Sequence, residues 1–559
     1  MATGAEVMAG MLDGYGVTHV FHVPAVLRRT MAEIERLTDI KRVRPHGEKP
    51  AAYMADGYAR ASGRPGVCMA QVVGALNLAA GLRDAHLAHS PVIAFTGGRD
   101  PHTKFRGVYQ EVDDLPGFEQ VTKWNATVDS VERFPDMLRQ AFRVATTGAP
   151  GPVHLQFRGN EGQVDLDEAD MDASVEQEYT AVPPHRPVPG DAEVVRRAVS
   201  QLRAAHRPVI ISGGGVRASL AAADLVALAE RLRIPVATSL NGKDTIPGTH
   251  PLALGVVGTY SRAPANRIVN QADLVCFVGT SAAGMTTHFW QVPPIGTPCI
   301  QIDIDPEVIG RNYPPVVAVN GDARSVLRLM TAEVGADPGV DRTGWVARAA
   351  AAVDGWRDEV SPLLGSADVP IRPERLCAEL TDHAPDDVFV VVDTGHAGMW
   401  MGGIFDTRAT TQSYVRSAGH LGWAFPASLG VKCGVPDRPV VCFTGDSGFW
   451  YHVAEIETAV RWNIASVTVV NNNHSGNQSL RGFDRAYGGK QTERARKELW
   501  EFTDVDFAAL AEHIGAVGIR VEKPDQIGPA LDRAFASGRP AVVDVVTEIE
   551  ALAPLAVTQ

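Results

Sequence analysis

Short apolar runs rich in β-branched residues recur along this chain, and each ends in glycine, aspartate or asparagine before a longer helix-like segment. Clear examples are residues 91–97, 208–215, 273–279, 388–395 and 440–446. Runs that are apolar throughout, rather than alternating with polar residues, are typical of strands buried on both faces of a parallel sheet. The pattern therefore predicts an α/β protein in which helices cover both sides of parallel sheets.

The chain is too long for a single hydrophobic core. At 559 residues it exceeds the size at which one core stops growing and a protein divides into several domains. Two polar, proline-rich stretches, at about 163–191 and 335–373, interrupt the strand pattern. We therefore expect three doubly wound parallel-sheet domains and an apolar tail that either docks on the last domain or closes over a site as a lid. Their predicted bounds are 1–165, 188–335 and 370–545 for the domains and 546–559 for the tail.

Composition narrows the function classes. The net charge of −13 disfavours a general nucleic-acid binder, because phosphate neutralisation needs clustered basic residues. The chain has no uninterrupted apolar stretch of the roughly 20 residues that a membrane span needs, and its first residues do not resemble a secretion signal, so we expect a cytoplasmic protein without membrane attachment. The six cysteines show no Cys-x-x-Cys spacing, which favours buried thiols over disulfides or zinc ligands.

The strongest local signal is a Gly-Asp-Ser-Gly motif at 445–448, which ends an apolar run and is followed by three asparagines at 471–473. Asp446 and Asn472 are separated by 25 residues, enough for one β-α-β step. Both strand ends would then meet at one crevice, where a carboxylate, an amide oxygen and open backbone N–H groups suit Mg²⁺ and phosphates. Taken alone, the first motif also resembles a serine-nucleophile turn, and the asparagines could form an ordinary turn.

At this spacing the two motifs together resemble the signature of thiamine diphosphate-dependent enzymes, with Ser447 in place of the usual second glycine. The resemblance implies a Mg²⁺ ion held by the Asp446 carboxylate, the Asn473 side chain and the backbone carbonyl of Ser475. It also implies that four further residues line the diphosphate and metal, namely Gly445, Ser447, Gly448 and Gly476. The serine leaves the metal ligand intact but could narrow the room around the diphosphate.

The same family has an essential acid far upstream, and the segment 46–60 supplies it as Glu48. The resemblance implies that Glu48 hydrogen-bonds N1′ of the aminopyrimidine. A carboxylate there favours the imino tautomer, whose 4′-nitrogen can remove the proton from thiazolium C2. On its own, Glu48 could instead be a structural acid at the start of a helix.

The resemblance extends to two loops of the third domain. The segment 417–426 resembles the one that contacts the aminopyrimidine, with the Gly419 carbonyl near the 4′-amino group and Leu421 as the apolar wedge beneath the cofactor. His420 is the histidine in these loops best suited to move a proton, and it could also be a simple hydrogen-bonded loop residue. The segment 394–400 resembles the diphosphate-binding loop, whose contacts would be Gly395, His396 and Ala397.

Two segments of the first domain bear on the reaction. Residues 109–111 occupy the place of the Phe-Gln-Glu loop of acetolactate synthase-like enzymes, which implies that Gln110 lies near the reacting carbon. Residues 72–77 read Val-Val-Gly-Ala-Leu-Asn, whereas those relatives have Gly-Pro-Gly-Ala-Thr-Asn. This departure argues against a direct transfer of acetolactate synthase specificity.

The second domain resembles the nucleotide-binding middle domain of the family, which holds FAD in some members, ADP in others and nothing in many. Glycines follow one of its strands and acidic residues follow two others, as a ribose and a diphosphate would need. A triple glycine is also a common turn. The resemblance implies ADP in preference to FAD, with the candidates Arg158, Gly214, Gly215, Asp303, Ile304, Asp322 and Ala323.

Within the family the chain is most similar to 2-hydroxyacyl-CoA lyases and oxalyl-CoA decarboxylases, particularly the actinobacterial 2-hydroxyisobutyryl-CoA lyases. The similarity lies in residues 109–111, 471–477 and 490–500. It implies cleavage of a 2-hydroxyacyl-CoA to a ketone or aldehyde plus formyl-CoA, with Glu493 as an acid or base near the substrate. Glu493 and Lys497 also have the i,i+4 spacing of an exposed helix pair. A basic cluster could meet the CoA phosphates or form a wet surface; it consists of Lys490, Arg494, Arg496 and Lys497.

Three alternatives remain open from the sequence: an acetolactate synthase-like carboligase, an oxalyl-CoA or 2-oxo acid decarboxylase, and a catalytically silent subunit that binds the cofactor without turnover. The resemblance also implies a homodimer or homotetramer. Each active site would combine Glu48 of one subunit with the region from Asp446 to Asn473 of its neighbour.

Overall fold

The computed structural model describes residues 1–182 and 188–554. It confirms three doubly wound domains, each built on a six-stranded sheet in which all neighbouring strands are parallel. The end of the predicted lid, 555–559, and residues 183–187 of the predicted linker lie outside the described residues. No helix of the described chain has both the length and the apolar character needed to cross a membrane.

The first domain has the sheet order β3-β2-β4-β5-β7-β6. Its strands are β1 (Ala2–Thr3), β2 (His19–His22), β3 (Lys41–Val43), β4 (Gly66–Ala70), β5 (Val92–Gly97), β6 (Trp124–Val128), β7 (Val153–Phe157) and β8 (Glu168–Ala169). Its helices are α1 (Gly4–Gly14), α2 (Arg28–Leu37), α3 (Glu48–Ser62), α4 (Ala75–Leu87) and α5 (Phe134–Thr146). Because β8 pairs with β1, and Met171 and Val175 pack on the core, this domain continues past the predicted boundary at 165.

The second domain has the order β11-β10-β9-β12-β13-β14. Its strands are β9 (Pro208–Ser212), β10 (Val236–Thr238), β11 (Ala253–Val256), β12 (Leu274–Val278), β13 (Cys299–Asp303) and β14 (Val317–Asn320). Its helices are α6 (Ala192–Ala204), α7 (Gly214–Ala218), α8 (Ala222–Leu232), α9 (Ala263–Val269), α10 (Ala323–Val334) and α11 (Thr343–Leu364). The stretch predicted to separate domains at 335–373 contains α11, which buries Trp345, Ala349 and Val353 against this domain. The domain therefore continues well past 335.

The third domain has the order β16-β15-β17-β18-β20-β19, the same succession as the first domain. Its strands are β15 (Phe389–Val392), β16 (Ser413–Arg416), β17 (Val440–Gly445), β18 (Val467–Asn472), β19 (Val517–Val521) and β20 (Ala541–Val546). Its helices are α12 (Pro373–His383), α13 (His396–Gly403), α14 (Ala424–Gly434), α15 (Asp446–Trp450), α16 (Glu455–Arg461), α17 (Leu480–Ala486), α18 (Glu493–Leu499), α19 (Phe507–Ile514) and α20 (Ile527–Ala536).

Short 3₁₀ turns complete the described helical structure. They are Val72–Gly74, Leu115–Phe118, Val131–Arg133, Gln163–Leu166, Gln177–Tyr179, Leu240–Thr245, Asn477–Ser479 and Pro524–Gln526.

The first and third domains share one continuous hydrophobic core, in which α3 crosses α14. The crossing depends on two glycines. A Cβ on Gly57 would lie 2.0 Å from the carbonyl oxygen of Ala427, and a Cβ on Gly430 would lie 1.9 Å from that of Met54. Neither distance is possible for a real side chain, so these positions need glycine for the two helix backbones to touch. The crossing fixes α3, whose first residue is Glu48, against the third domain.

Candidate active site

Three neighbouring strands of the third domain end at one crevice. β15, β17 and β18 lie side by side, and the loops after them are the three that the sequence assigns to the diphosphate and the metal. The chain leaves β15 for β16 on one side and returns to β17 on the other. The crevice therefore lies where the strand order reverses, the usual position of ligands in such sheets.

Asp446 is a buried carboxylate at the start of α15. Its Oδ1 accepts from the backbone N–H of Ser447 at 2.7 Å, and its Oδ2 accepts from that of Ser475 at 2.8 Å. No cationic side chain of the described residues forms an ion pair with it, and burial raises its pKa to about 7 despite the two bonds. A bound cation would stabilise a carboxylate in this position.

The asparagines at 471–473 have different roles: Asn472 links two strands, and Asn473 belongs to the candidate metal site. Asn472 Nδ2 donates to Asp544 Oδ1 at 2.9 Å, which ties β18 to β20. Asn473 is buried, and its Oδ1 accepts from the Ser475 hydroxyl at 3.0 Å. Asp446, Asn473 and Ser475 thus form one hydrogen-bonded group of hard oxygen donors, which fits Mg²⁺ completed by phosphate oxygens and water. Among the residues that the structure covers, no cluster of three or more His, Cys, Asp or Glu side chains is suited to hold a metal.

The diphosphate loop lies at the N-terminal end of α13. The N-cap of α13 is Gly395, which has a φ of +67°. No side chain accepts from the first N–H groups of this helix at the cap, so these groups are open to an anion. His396 Nδ1 lies 2.8 Å from Asn477 Oδ1. Asn477 Nδ2 in turn donates to the carbonyls of Ile549 at 2.9 Å and Ala551 at 3.0 Å. Through Asn477, the described part of the tail is therefore linked to the diphosphate loop.

Asp393 is a buried residue of the site that sequence reasoning missed. It directly follows β15 and accepts from the backbone N–H of Thr394 at 2.8 Å, that of Gly422 at 3.0 Å and the Thr444 hydroxyl at 3.1 Å. One carboxylate thus joins the diphosphate loop, the aminopyrimidine loop and the strand before Asp446. Burial raises the pKa of Asp393 to about 7. Its position at the end of an apolar strand was the available signal.

The aminopyrimidine loop, 417–422, is anchored by the first domain through Asp84 of α4. Asp84 accepts from the Ser417 hydroxyl at 2.9 Å and from the backbone N–H groups of Ala418 at 2.9 Å and His420 at 3.2 Å. Gly419 faces open space, and Leu421 is 39% exposed. The carbonyl and the apolar wedge predicted to meet the cofactor are therefore accessible.

A buried ion cluster fixes Asp84 itself. Arg60 donates to Asp84 Oδ1 at 2.8 Å and to both oxygens of Asp56, and its guanidinium lies 4.4 Å from the centre of the Trp423 ring. Trp423 Nε1 donates to Asp56 Oδ2 at 2.8 Å. Asp56 and Arg60 belong to the motif that marked Glu48 in the sequence, so much of that motif serves to join two domains.

His420 is half-buried next to this cluster. Its Nδ1 lies 2.6 Å from the hydroxyl of Tyr53, a residue of α3. Burial lowers the pKa of His420 below its ordinary value. A neutral imidazole held by a tyrosine hydroxyl can accept or relay a proton near neutral pH.

Glu48 is half-buried at the start of α3, and its carboxylate contacts residues of its own domain. Asn77 Nδ2 donates to its Oε2 at 3.3 Å, and a Cβ on Gly74 would lie 2.5 Å from its Oε1. Two residues before Glu48, His46 donates its backbone N–H to Glu455 Oε1 of α16 at 3.0 Å, which anchors the segment before α3 to the third domain. Glu48 thus lies against the residues at 72–77 of its own domain.

Gln110 and Glu493 lie in different surroundings. Gln110 has a φ of +64°, and its Oε1 accepts from Gln71 Nε2 at 3.2 Å, beside the segment 72–77. Glu493 begins α18 with its side chain 82% exposed and its Oε1 2.7 Å from Lys497 Nζ. This is the surface pair that the spacing allowed. The other end of α18 supports the metal loop, because Gly476 donates its N–H to the Trp500 carbonyl at 2.7 Å.

The residues predicted to bind a nucleotide have different surroundings, and two of their charged side chains already have partners within the protein. Asp303 is half-buried without a cationic partner among the described residues, and burial raises its pKa to about 6. Asp322 caps α10 by accepting from the Ser325 N–H at 2.9 Å, and Arg158 pairs with Asp167 in the first domain. Gly215 packs on the backbone of Gly279. Ile304 follows Asp303, while Gly214 and Ala323 begin α7 and α10.

In the comparison with known proteins, a family model matches part of each of the three domains. Three family models match: the N-terminal TPP (thiamine pyrophosphate) binding domain at 2–116, the central domain of thiamine pyrophosphate enzymes at 195–330 and their C-terminal TPP binding domain at 393–545. A probable acetolactate synthase large subunit of Methanocaldococcus jannaschii is 32% identical over 98% of this chain and 92% of its own length.

Two further relatives differ in their named activity. The acetolactate synthase large subunit of Haemophilus influenzae is 29% identical over 95% of this chain and 92% of its own length. A probable 2-ketoarginine decarboxylase of Pseudomonas aeruginosa is 32% identical over 82% of this chain and 79% of its own length. The chain therefore belongs to the thiamine pyrophosphate-dependent enzymes and is homologous to acetolactate synthase large subunits.

Proposed function

We propose that this enzyme uses thiamine diphosphate and Mg²⁺ to make or break a carbon–carbon bond next to a carbonyl. The observation that carries the proposal is the buried Asp446 carboxylate, which has no cationic partner among the described residues and lies beside Asn473 and Ser475. Oxygen donors of this kind would hold Mg²⁺, and the open N-terminal end of α13 at the same sheet edge would hold a diphosphate.

Each residue has a defined task in this proposal. Asp446, the Asn473 side chain and the Ser475 carbonyl would hold Mg²⁺, while backbone N–H groups at 395–397 hold the diphosphate. Glu48 would hold a proton at N1′ of the aminopyrimidine, and the Gly419 carbonyl would orient the 4′-amino group. When bound, the cofactor supplies a nucleophilic thiazolium carbon. His420, held by Tyr53, would accept or return a proton at the substrate oxygen.

The reaction that the relatives favour is of the acetolactate synthase type, in which a 2-oxo acid loses CO₂ and is joined to a second carbonyl compound. Two lines support it. Relatives with that name match over nearly the whole chain. In addition, the basic cluster expected to bind CoA is largely neutralised, since Arg494 pairs with Glu498, Arg496 with Glu501 and Lys497 with Glu493.

A second candidate is cleavage of a 2-hydroxyacyl-CoA, such as 2-hydroxyisobutyryl-CoA, to a ketone or aldehyde plus formyl-CoA. It is favoured by Val72 and Val73, which replace Gly-Pro beside Glu48. In this reaction Glu493 would act as acid or base near the substrate, after a rearrangement of α18 that breaks its pair with Lys497. Within the same candidate, ADP would occupy the second domain with Asp303 at the ribose.

The enzyme would work as a homo-oligomer of at least two chains. Val73 is 59% exposed and Leu76 is 51% exposed, and both flank the residues that contact Glu48. Where exposed apolar side chains form a patch, the patch can mark a contact with a partner. A second copy would bring its Asp446 group to this face, so that Glu48 of one chain and the Asp446 region of the other would form one site.

A product assay separates the candidates. The protein is incubated with thiamine diphosphate and Mg²⁺ in three tubes that contain pyruvate, oxalyl-CoA or 2-hydroxyisobutyryl-CoA. Acetolactate from the first tube supports the carboligase. CO₂ with formyl-CoA from the second supports the decarboxylase, and acetone with formyl-CoA from the third supports the lyase.

A matched variant tests the catalytic role of Glu48. Glu48→Gln should abolish turnover of whichever substrate reacts while leaving the fold and cofactor binding intact. Unchanged turnover would refute the mechanism. A wild-type protein that binds the cofactor but converts none of the three compounds would favour a catalytically silent subunit.

A further inference from the structure

The C-terminal end of α13 is held from the second domain. A helix leaves its last carbonyls without partners inside the helix, and these need donors from elsewhere when they are buried. Here the last two carbonyls of α13, at 402 and 403, and the next two, at 404 and 405, accept from two buried basic side chains, Lys243 and Arg262. Cations at this end also match the direction of the helix dipole.

Arg262 makes most of these contacts. Its Nε donates to the Gly403 carbonyl at 2.6 Å, and its Nη2 donates to those of Ile404 at 3.1 Å and Phe405 at 3.2 Å. The same Nη2 lies 2.7 Å from Asp406 Oδ1, and the guanidinium lies 4.7 Å from the centre of the Trp356 ring. A planar group with five donors suits several acceptors at once, which lysine would not reproduce.

The surrounding backbone leaves room for this arginine and its ion pair. A Cβ on Gly255 would lie 2.5 Å from Arg262 Cδ, and a Cβ on Gly248 would lie 2.0 Å from Asp406 Oδ1. Gly402, in α13 itself, allows Leu240 of the second domain to approach, because a Cβ there would lie 2.6 Å from Leu240 Cδ2. Glycines on both sides of the junction therefore permit close contact between the domains.

Lys243 adds a second, weaker contact from the turn Leu240–Thr245. Its Nζ donates to the Gly402 carbonyl at 3.2 Å. The next residue, Asp244, accepts from the backbone N–H of Tyr414 in β16 at 3.0 Å. This turn therefore contacts both α13 and the strand beside β15.

We propose that Arg262, assisted by Lys243, is a positioning residue for the cofactor, because it fixes from the second domain the helix whose opposite end holds the diphosphate. α13 has only eight residues, so its two ends cannot move independently without breaking helical hydrogen bonds. Losing the anchor would let the open N–H groups at 395–397 shift. The inference rests on the cofactor placement proposed above and adds the second domain to the cofactor site.

The test compares two arginines that face the same aspartate. Arg262→Met removes the contacts to α13, whereas Arg357→Met removes a more distant cation, 3.9 Å from Asp406 Oδ2. The dissociation constant of thiamine diphosphate is measured by calorimetry at saturating Mg²⁺ for the wild-type protein and both variants. Arg262→Met should raise this constant about 10- to 100-fold, the range seen when a residue supporting a ligand is lost. Arg357→Met should leave it unchanged within error, and kcat at saturating cofactor should fall much less than affinity.

The outcomes separate this inference from the proposed function. An Arg262→Met protein that keeps the wild-type circular dichroism and binds the cofactor as tightly as the wild type would overturn the inference. If that variant does not fold, Arg262→Lys and Lys243→Met take its place: intermediate affinities support the inference, and wild-type affinity for both overturns it. Failure of the wild-type protein itself to bind thiamine diphosphate would instead overturn the proposed function.

Discussion

The metal end of the candidate site and its aminopyrimidine end are held by different means. At the metal end, Asp446 and Ser475 are joined by backbone hydrogen bonds within the third domain. At the aminopyrimidine end, Asp84 and Arg60 of the first domain hold the loop 417–422 through buried charges. The metal end should therefore tolerate changes at domain junctions, while the aminopyrimidine end should be only as stable as the junction itself.

The largest expected effect is at the metal end. Asp446→Asn keeps the shape of the side chain but removes the negative charge that would bind Mg²⁺. Catalytic activity should fall by at least about 100-fold, a loss comparable to or larger than that from disrupting residues around a metal. Steady-state rates over a Mg²⁺ titration check this. If high Mg²⁺ restored full activity to the variant, Asp446 would not be the principal ligand.

The same variant should change how the stability of the cofactor-free protein depends on pH. The folded-state pKa of Asp446 is raised to about 7 from an ordinary value of 3.8, so the folded state binds more protons than the unfolded state between these values. Its contribution is therefore most favourable at low pH and is lost as pH rises through about 7. Asp446→Asn should flatten the fall in unfolding temperature between about pH 4 and 7, and Asp393, whose pKa burial also raises to about 7, should retain part of that fall. If the unfolding temperatures of the variant and the wild type fell equally steeply with pH, Asp446 would not have the raised pKa assigned to it.

The next effect concerns the aminopyrimidine end. Asp84→Ala removes the acceptor of three loop donors and one partner of Arg60, and breaking such a buried ion cluster costs about 3–5 kcal/mol. Urea unfolding should show this loss, and cofactor affinity should fall with it. Ser417→Ala removes one of these bonds and two within the loop while leaving the ion cluster intact, so as the control it should cost less, about 1–2 kcal/mol. If Asp84→Ala lost activity without losing stability, the aminopyrimidine end would not depend on the stability of the domain junction, and the proposed difference between the two ends would be wrong.

A smaller effect is expected within that end at Tyr53. Burial raises the pKa of the Tyr53 hydroxyl, whose oxygen lies 2.6 Å from His420 Nδ1. We expect this hydroxyl to be the donor, with the neutral imidazole carrying its proton on Nε2. Tyr53→Phe should cost about 1 kcal/mol of stability. It should also raise the pKa of His420, because the lost bond favours the neutral imidazole. The acid limb of the pH dependence of kcat/KM should then move to higher pH. If this limb does not move, His420 is not the group that accepts the proton.

The contrast between the two ends also explains what the sequence could predict. Asp446, Asn473 and Ser475 lie in two short segments that follow neighbouring strands, so strand order alone brings them together. The three sheets were predictable for the same reason, since uniformly apolar runs mark buried parallel strands. Local patterns were sufficient where the contacts join segments adjacent in the fold.

Contacts between distant segments were not predictable in this way. Asp84 and the loop it holds are more than 300 residues apart, as are Tyr53 and His420. Arg262 lies in another domain from α13. Single residues at these positions have no distinguishing pattern, because any buried helix or turn can contain them. The packing of α11 was equally hard to predict, because this helix is alanine-rich and buries only a few of its side chains, Trp345, Ala349 and Val353.

The smallest expected effect is at Glu493, which belongs to neither end in this structure. Its side chain is exposed and pairs with Lys497, as Glu498 pairs with Arg494 on the same helix. Glu493→Ala and its control Glu498→Ala should therefore leave the unfolding temperature and the rate with pyruvate unchanged within error, because exposed pairs of this kind contribute little. If Glu493→Ala alone abolished cleavage of 2-hydroxyisobutyryl-CoA at unchanged stability, α18 would have to turn Glu493 into the site when an acyl-CoA binds. The lyase reaction would then be favoured, and the site would gain a third, mobile part besides its two fixed ends.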